Sequence, residues 1–296
     1  DTRFRIASMG KMFTAVGIMQ LVEAGKLDLQ SPLGTYLPDY PNAAIAQHVT
    51  LDHLLTHTGG TGDIFVPEIE AKRDHLHSLS DYIAVLGTRD PEFAPGSKWS
   101  YSNYGYLLLG RVLERISGEE YFAYIRKHVF APAGMRHSGT QTISKTPGAE
   151  AGGYMRASDG PHWVAAPSGM PSVPTSAGGD LSTAHDLYAF ARSLQTGKLL
   201  KAASVEMLTR GKVDAHTGTY AYGFKDQSRD GLRYIGHGGS APGNNCELDI
   251  YPDSGYILIV LTNQDPPYGN RVADFIGNRL AVAARTHPDV PFRRAQ

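Results

Sequence analysis

The chain has 296 residues, a formal net charge of -1, 41% hydrophobic and 19% charged side chains, a composition that excludes a disordered or fibrous polypeptide. It carries no basic run, which argues against nucleic acid or an anionic membrane as partner, and no apolar window long enough to span a bilayer. Its one cysteine, Cys246, excludes an internal disulfide.

Ser8-Met9-Gly10-Lys11 is the only Ser-x-x-Lys in the sequence and opens a stretch, Met12 to Val22, that is apolar on nearly every side. A helix with no polar face is buried, and Gly25 is placed to end it. A spacing of three puts Ser8 and Lys11 on one face of the first turn. There, burial and the positive end of the helix dipole both disfavour the ammonium. A neutral lysine can take the proton of a neighbouring serine. Taken alone, the tetrapeptide reads better as a capped helix with a snorkelling lysine, since two fixed residues in four recur by chance.

Residues 26–46 read as loop, punctuated by Pro32, Pro38 and Pro41. Thr50 caps a short helix from Leu51 to Thr56, and Leu79 to Leu86 is helical. Ser102 or Asn103 caps a strong helix with Leu107, Leu108, Val112, Leu113 and Ile116 at helical spacing, closed by Gly118. A second amphipathic helix, Glu119 to Phe130, stops before Pro132. Residues 139–179 form a long Gly-, Pro-, Ser- and Ala-rich excursion, in which Pro161 to Pro174, with Trp163 and Met170, is a candidate substrate entrance. Thr183 starts a helix with Leu187, Phe190, Ala191 and Leu194 on one face.

After Thr217 the period changes from 3.6 to 2. Tyr220 to Phe224 and Leu232 to Gly236 read as strands, with Asp230-Gly231 as a hairpin signal. Cys246, Leu248 and Ile250 alternate with Glu247, Asp249 and Tyr251, and Tyr256 to Leu261 reads as a fully buried strand. A last helix runs from Arg271 to Ala284. The expected architecture is α/β: an antiparallel sheet flanked by helices, built from 1–46 and 175–296, with a mainly helical insertion over 47–174.

Two further clusters sit at element junctions. In Tyr101-Ser102-Asn103 the outer two side chains point the same way in an extended segment. A phenol can relay a proton and an amide can hold a carbonyl or orient the lysine. In His237-Gly238-Gly239-Ser240 the glycines admit a ligand close to the backbone, whose N–H groups, with that of Ser8, form an oxyanion hole. Read singly, each is an ordinary cap or a glycine-rich strand exit.

In this order, Ser-x-x-Lys, Tyr-x-Asn and His-Gly-Gly resemble the penicillin-recognising serine hydrolases: class C β-lactamases, DD-peptidases of that branch and family VIII carboxylesterases. Phe4 to Ser8, Leu54 to Gly60, Phe93 to Gly96, Tyr101 to Tyr106, Gly178 to Thr183 and Leu261 to Asn263 resemble landmarks of the same family. The resemblance implies a β-lactamase/transpeptidase-like fold, Ser8 as acylated nucleophile, Lys11 as its base and Tyr101 as proton relay. It makes Asn103 a substrate and lysine anchor and His237 the third-motif residue, followed by Gly238, Gly239 and Ser240, with no cofactor and no metal. The implied partner is a small ester or amide substrate.

Two features depart from the family pattern. His237 stands where β-lactamases of this class carry lysine, so a fixed positive charge for a substrate carboxylate is missing, which favours esters and leaves a DD-peptidase open. Only seven residues precede Ser8, so the family's N-terminal strands are expected to be absent and a sheet edge to be exposed or paired with another chain in a homo-oligomer. No Gly-x-Ser-x-Gly elbow occurs, against a Ser-His-Asp hydrolase. His75-x-His77 lacks a third ligand at metal-site spacing and reads as a solvated face, and His53 and His57 read as structural hydrogen-bonders. A non-catalytic penicillin-binding sensor or scaffold is the alternative of another class, opposed by the filled reactive positions.

Overall fold

The computed structural model describes residues 2–140, 149–166 and 174–286. Met170 of the candidate entrance lies outside them. The chain enters through strand β1 (Phe4–Arg5) and a 3-10 turn (Ala7–Met9), which runs into α1 (Gly10–Glu23). Short helices follow: α2 (Leu33–Tyr36), α3 (Ala43–His48), α4 (Leu51–Leu55), α5 (Pro67–Glu70) and α6 (Leu79–Leu86). Next come α7 (Asn103–Ser117), α8 (Tyr121–Ile125), a π-helical turn (Arg126–Phe130) and α9 (Ala131–Ala133). The excursion holds a small hairpin, β2 (Tyr154–Arg156) and β3 (Trp163–Ala165), and β4 (Leu181–Ser182) pairs antiparallel with β1. Helices α10 (Ala184–Gln195) and α11 (Ala202–Thr209) lead to β5 (Val213–Asp214), β6 (Thr219–Tyr220), β7 (Lys225–Arg229), β8 (Leu232–Ala241), β9 (Asn244–Ile250) and β10 (Ile257–Thr262), and α12 (Tyr268–Thr286) closes the fold. The main sheet is antiparallel throughout, in the order β10-β9-β8-β7-β6-β5. Helices and antiparallel sheet together form an α/β fold, as expected.

Helix α1 is the centre of the core. Eleven of its fourteen residues are buried, as a sequence apolar on every side requires. Phe13 meets the rings of Phe130 and Phe190 edge-on at 4.9 Å each. Gly17 lets α7 approach, since a Cβ there would lie 2.7 Å from Leu113 Cδ1. The helix ends in a Schellman arrangement: Gly25 takes φ 68°, its N–H reaches Val22 O and the Lys26 N–H reaches Leu21 O, both at 2.9 Å.

Several expectations are corrected. Residues 26–46 are not all loop, because Pro32 leads into α2 and Asn42 caps α3 by accepting the Ile45 N–H. The helix expected to stop before Pro132 continues through it to Ala133, and the carbonyl four residues back, His128 O, accepts from Gln20 Nε2 at 2.9 Å in place of the missing amide hydrogen. Tyr220 to Phe224 is not one strand. Beyond Tyr220 the chain turns, with Ala221 N–H bonded to Phe224 O and Gly223 at φ 72°, packed on the Lys11 carbonyl. The next strand is β7. Strand β8 runs past Gly236 to Ala241, so the His237 motif lies within it. Strand β10 alternates between half-buried and buried positions rather than being fully buried. Strand β9 is buried at all seven positions. Its polar face is covered by α12, and Glu247 and Asp249 are paired there with Lys225 and Arg229 at 3.3 and 2.7 Å.

Candidate active site

The 3-10 turn holds Ser8 at the point where α1, α7, β8 and the 177–179 segment meet. Ala7, just before it, has φ 43°, a left-handed conformation that an alanine adopts at a cost of about 1–2 kcal/mol. The turn is tightly enclosed. A Cβ on Gly10 would lie 2.9 Å from Gly178 Cα, one on Gly178 would strike the Ala7 carbonyl, and one on Gly239 would strike Ile6 O. The glycines of Gly178-Gly179 and His237-Gly238-Gly239 are what let these segments close on the serine.

Lys11 is fully buried. Its Nζ lies 3.2 Å from Ser8 Oγ, 2.7 Å from Asn103 Oδ1 and 2.7 Å from Ala177 O. It also stands 4.8 and 5.4 Å from the ring centres of Tyr101 and Tyr106. Burial lowers its pKa from 10.5 to about 7, against the opposing pull of the Asp63 carboxylate. The neutral amine has two hydrogens and one lone pair. Asn103 Oδ1 and Ala177 O are carbonyl oxygens, which only accept, so they take both hydrogens and the lone pair is left facing Ser8.

Tyr101 hydrogen-bonds the Ser8 hydroxyl, and burial raises its pKa, so the phenol is protonated at neutral pH. His57 grips the backbone on both sides of it. Its carbonyl accepts the Ser100 N–H at 2.9 Å and its Nδ1 accepts the Ser102 N–H at 3.1 Å. Its ring lies 4.2 Å from that of Tyr101, and its own backbone is left-handed at φ 62°. Ser102, rather than Asn103, caps α7, with Oγ accepting the Gly105 N–H at 2.9 Å. Asn103 then occupies the first helical position, its amide held by Asp63.

His237 is 3% exposed. Its Nδ1 lies 2.5 Å from Gly238 O, an acceptor only, so that nitrogen carries the hydrogen. Nε2 is left to accept from the Tyr220 hydroxyl at 3.0 Å. Burial, then the charges of Lys225 and Lys11, hold its pKa well below 6.5, so the imidazole is neutral. Strand β7 pairs with β8 only as far as Gly236, while β9 pairs on to Ala241. From His237 onward the other edge of β8 opens beside the serine turn. Ser240 is exposed there, its Oγ accepting from Asn245 Nδ2 at 2.8 Å. The Ser8 N–H, at the start of a helical turn, has no preceding carbonyl of that turn to bond.

Ser8, Lys11, Tyr101, Asn103 and His237 therefore come together around one point, with Gly238, Gly239 and Ser240 along its edge. Sequence reading found His57 as a structural hydrogen-bonder, which it is, and missed Asp63, Ala177 O and Tyr220. Of these only Ala177 O left a trace, in the glycine pair that follows it. Among the described residues no three His, Cys, Asp or Glu side chains group as a metal site, and no helix is long and apolar enough to cross a membrane.

The chain is 33% identical over 267 residues to the putative penicillin-binding protein PbpX of Bacillus subtilis, covering 88% of this chain and 61% of that protein. Esterase EstB of Burkholderia gladioli is 35% identical over 152 residues, 47% of this chain and 38% of its own length. A penicillin-binding protein of Bacillus halodurans has the same fold, with a TM-score of 0.80 and 33% identity over 93% of this chain and 85% of that one. The beta-lactamase family profile matches residues 1–283. With that match over nearly its whole length, the chain belongs to the beta-lactamase family, within the penicillin-recognising serine hydrolases.

Proposed function

We propose that this protein hydrolyses carboxylic esters through an acyl-Ser8 intermediate. The observation that carries the reading is the Lys11 amine, whose hydrogens are both claimed by carbonyl oxygens and whose lone pair faces Ser8 Oγ at 3.2 Å. Ser8 attacks the ester carbonyl and its proton passes to Lys11. The developing oxyanion sits between the Ser8 N–H and the open edge of β8. Tyr101 supplies the proton to the departing alkoxide and regains one from the Lys11 ammonium through the Ser8 site. A water then attacks the acyl carbon, its proton follows the reverse path, and Ser8 is released.

The neutral His237 favours an ester over a β-lactam, because the third motif brings no cation to meet a substrate carboxylate. The likeness to proteins named as penicillin-binding supports a second reading, a D-alanyl-D-alanine peptide or β-lactam as substrate. A panel of p-nitrophenyl butyrate, nitrocefin and a D-Ala-D-Ala peptide separates the two. The expected result is turnover of the ester, little or none of nitrocefin, and loss of turnover and of covalent labelling together in Ser8→Ala. Preference for nitrocefin or the peptide in the wild type replaces the first reading with the second. No acylation by any of them leaves a non-catalytic sensor.

A further inference from the structure

We propose that Asp63 is a positioning residue for acylation: its carboxylate sets the orientation of the Asn103 amide and, through it, the direction of the Lys11 lone pair. The inference rests on the proposed roles of Ser8 and Lys11. Asp63 Oδ1 accepts the Asn103 backbone N–H at 3.1 Å, and Oδ2 accepts from Asn103 Nδ2 at 3.2 Å. Asp63 is itself anchored, its Oδ1 accepting the Ile64 N–H at 2.6 Å and its carbonyl accepting from Arg89 Nη2 at 3.0 Å.

An asparagine amide has two orientations of almost the same shape, and only its neighbours choose between them. A carboxylate accepts and does not donate, so it admits the orientation with Nδ2 toward Asp63 and Oδ1 toward Lys11. In the flipped form an oxygen would face the carboxylate and Nδ2 would face Lys11. The lysine lone pair would then accept from the amide, and Ser8 would lose its base. Asp63 stands outside the reacting atoms yet decides which way the base points.

Asp63 also acts through its charge. The other titratable groups around Lys11 are the phenols of Tyr101 and Tyr106, the imidazoles of His57 and His237 and, packed on Gly10 from the 177–180 segment, the carboxyl of Asp180, which burial raises to about 7. Burial keeps the phenols protonated and the imidazoles neutral. The Asp63 carboxylate is the charge that supports the ammonium against burial.

The test is the rate at which a fluorophosphonate labels Ser8, followed across the pH range around neutrality in wild type, D63N, N103D and the double variant, with thermal melts of each. D63N is expected to lower the plateau rate roughly tenfold or more and to move the rising limb to lower pH, because the charge that holds the proton on Lys11 is gone. An aspartate at 103 presents oxygen to Lys11 in either orientation. In the N103D background, adding D63N should therefore cost less than about threefold. Equal losses in both backgrounds, or a limb that stays in place, would make Asp63 a structural brace and overturn the proposal. If the melts show D63N unfolded, D63E decides: it keeps the charge, so the limb should stay while the plateau falls, and a displaced limb overturns the inference. Absence of labelling at Ser8 in the wild type would instead sink the proposed function, and this inference with it.

Discussion

In the proposed mechanism, Lys11 is the residue on which the acid–base chemistry turns. Burial holds its pKa at about 7, and it works as a base only after losing its proton. On that mechanism activity is expected to rise as pH increases through about 7, along an ascending limb of kcat/KM, and the Asp180 carboxyl, raised to about 7 by burial, titrates in the same range. His57 and His237 titrate well below the usual histidine range and add nothing to that limb, and the raised pKa of Tyr101 pushes any descending limb into the alkaline range. Measuring kcat/KM for p-nitrophenyl butyrate against pH checks this; a limb in the carboxylate range would point to another base. On the same proposal, His237 is the residue at which substrate charge is decided. His237→Lys places a cation beside the open edge of β8. The variant should acylate faster with carboxylate-bearing β-lactams relative to neutral esters, by roughly tenfold for one new charge-assisted contact. An unchanged ratio would mean that the missing cation is not what governs selectivity.

At the scale of elements, the site depends on how closely the 177–179 segment lies on the start of α1. A methyl group at Gly10 would meet Gly178 Cα at 2.9 Å and Asp180 Oδ2 at 2.7 Å. The first is backbone and cannot rotate away, so the segment itself must move, and Ala177 O moves with it off Lys11. Gly10→Ala should cost about 1–3 kcal/mol in stability and lower kcat beyond what the loss of folded protein explains. Gly17→Ala is the control on the same helix. Its methyl meets Leu113 Cδ1 at 2.7 Å, the end of a side chain that can turn, so stability should fall with kcat per folded molecule unchanged. Melting curves alongside kcat for both variants distinguish them; equal kcat losses would show that the 177–179 contact is packing only. The same logic applies across β8. Gly236 and Gly238 leave its outer face bare, and Lys225 of β7 reaches Glu247 of β9 across it at 3.3 Å.

For the whole molecule, β10 is, with β5 at the far end, a terminal strand of the main sheet among the described residues. Its residues Ile257 to Leu261 are all apolar, without the charge, proline or bulge that usually protects an edge. Such an edge is expected to pair with another strand. In solution this chain should show a mass above its own 32.0 kDa that increases with concentration, measured by light scattering or sedimentation. A concentration-independent monomer would show that the edge is not an association surface.

The residue types of the site were legible in the sequence because each motif is local. Ser8 and Lys11 are three residues apart on a helix whose burial follows from its composition, and Tyr101 and Asn103 flank the residue that caps α7. The main helices were legible for the same reason, since capping and 3.6-residue periodicity are properties of neighbouring residues. Elements without such a pattern, such as α2 and α11, left no comparable signal. What only the tertiary structure decided is the state of those side chains. The direction of the Lys11 lone pair depends on Asn103 and Ala177, which lie 92 and 166 residues away along the chain. The neutral charge of His237 depends on burial and on the charges of Lys225 and Lys11, and its Nε2 is met by Tyr220, 17 residues before it. A hydrogen-bond partner supplied by a distant segment has no spacing to read, and a pKa set by burial exists only once the chain has closed around the group.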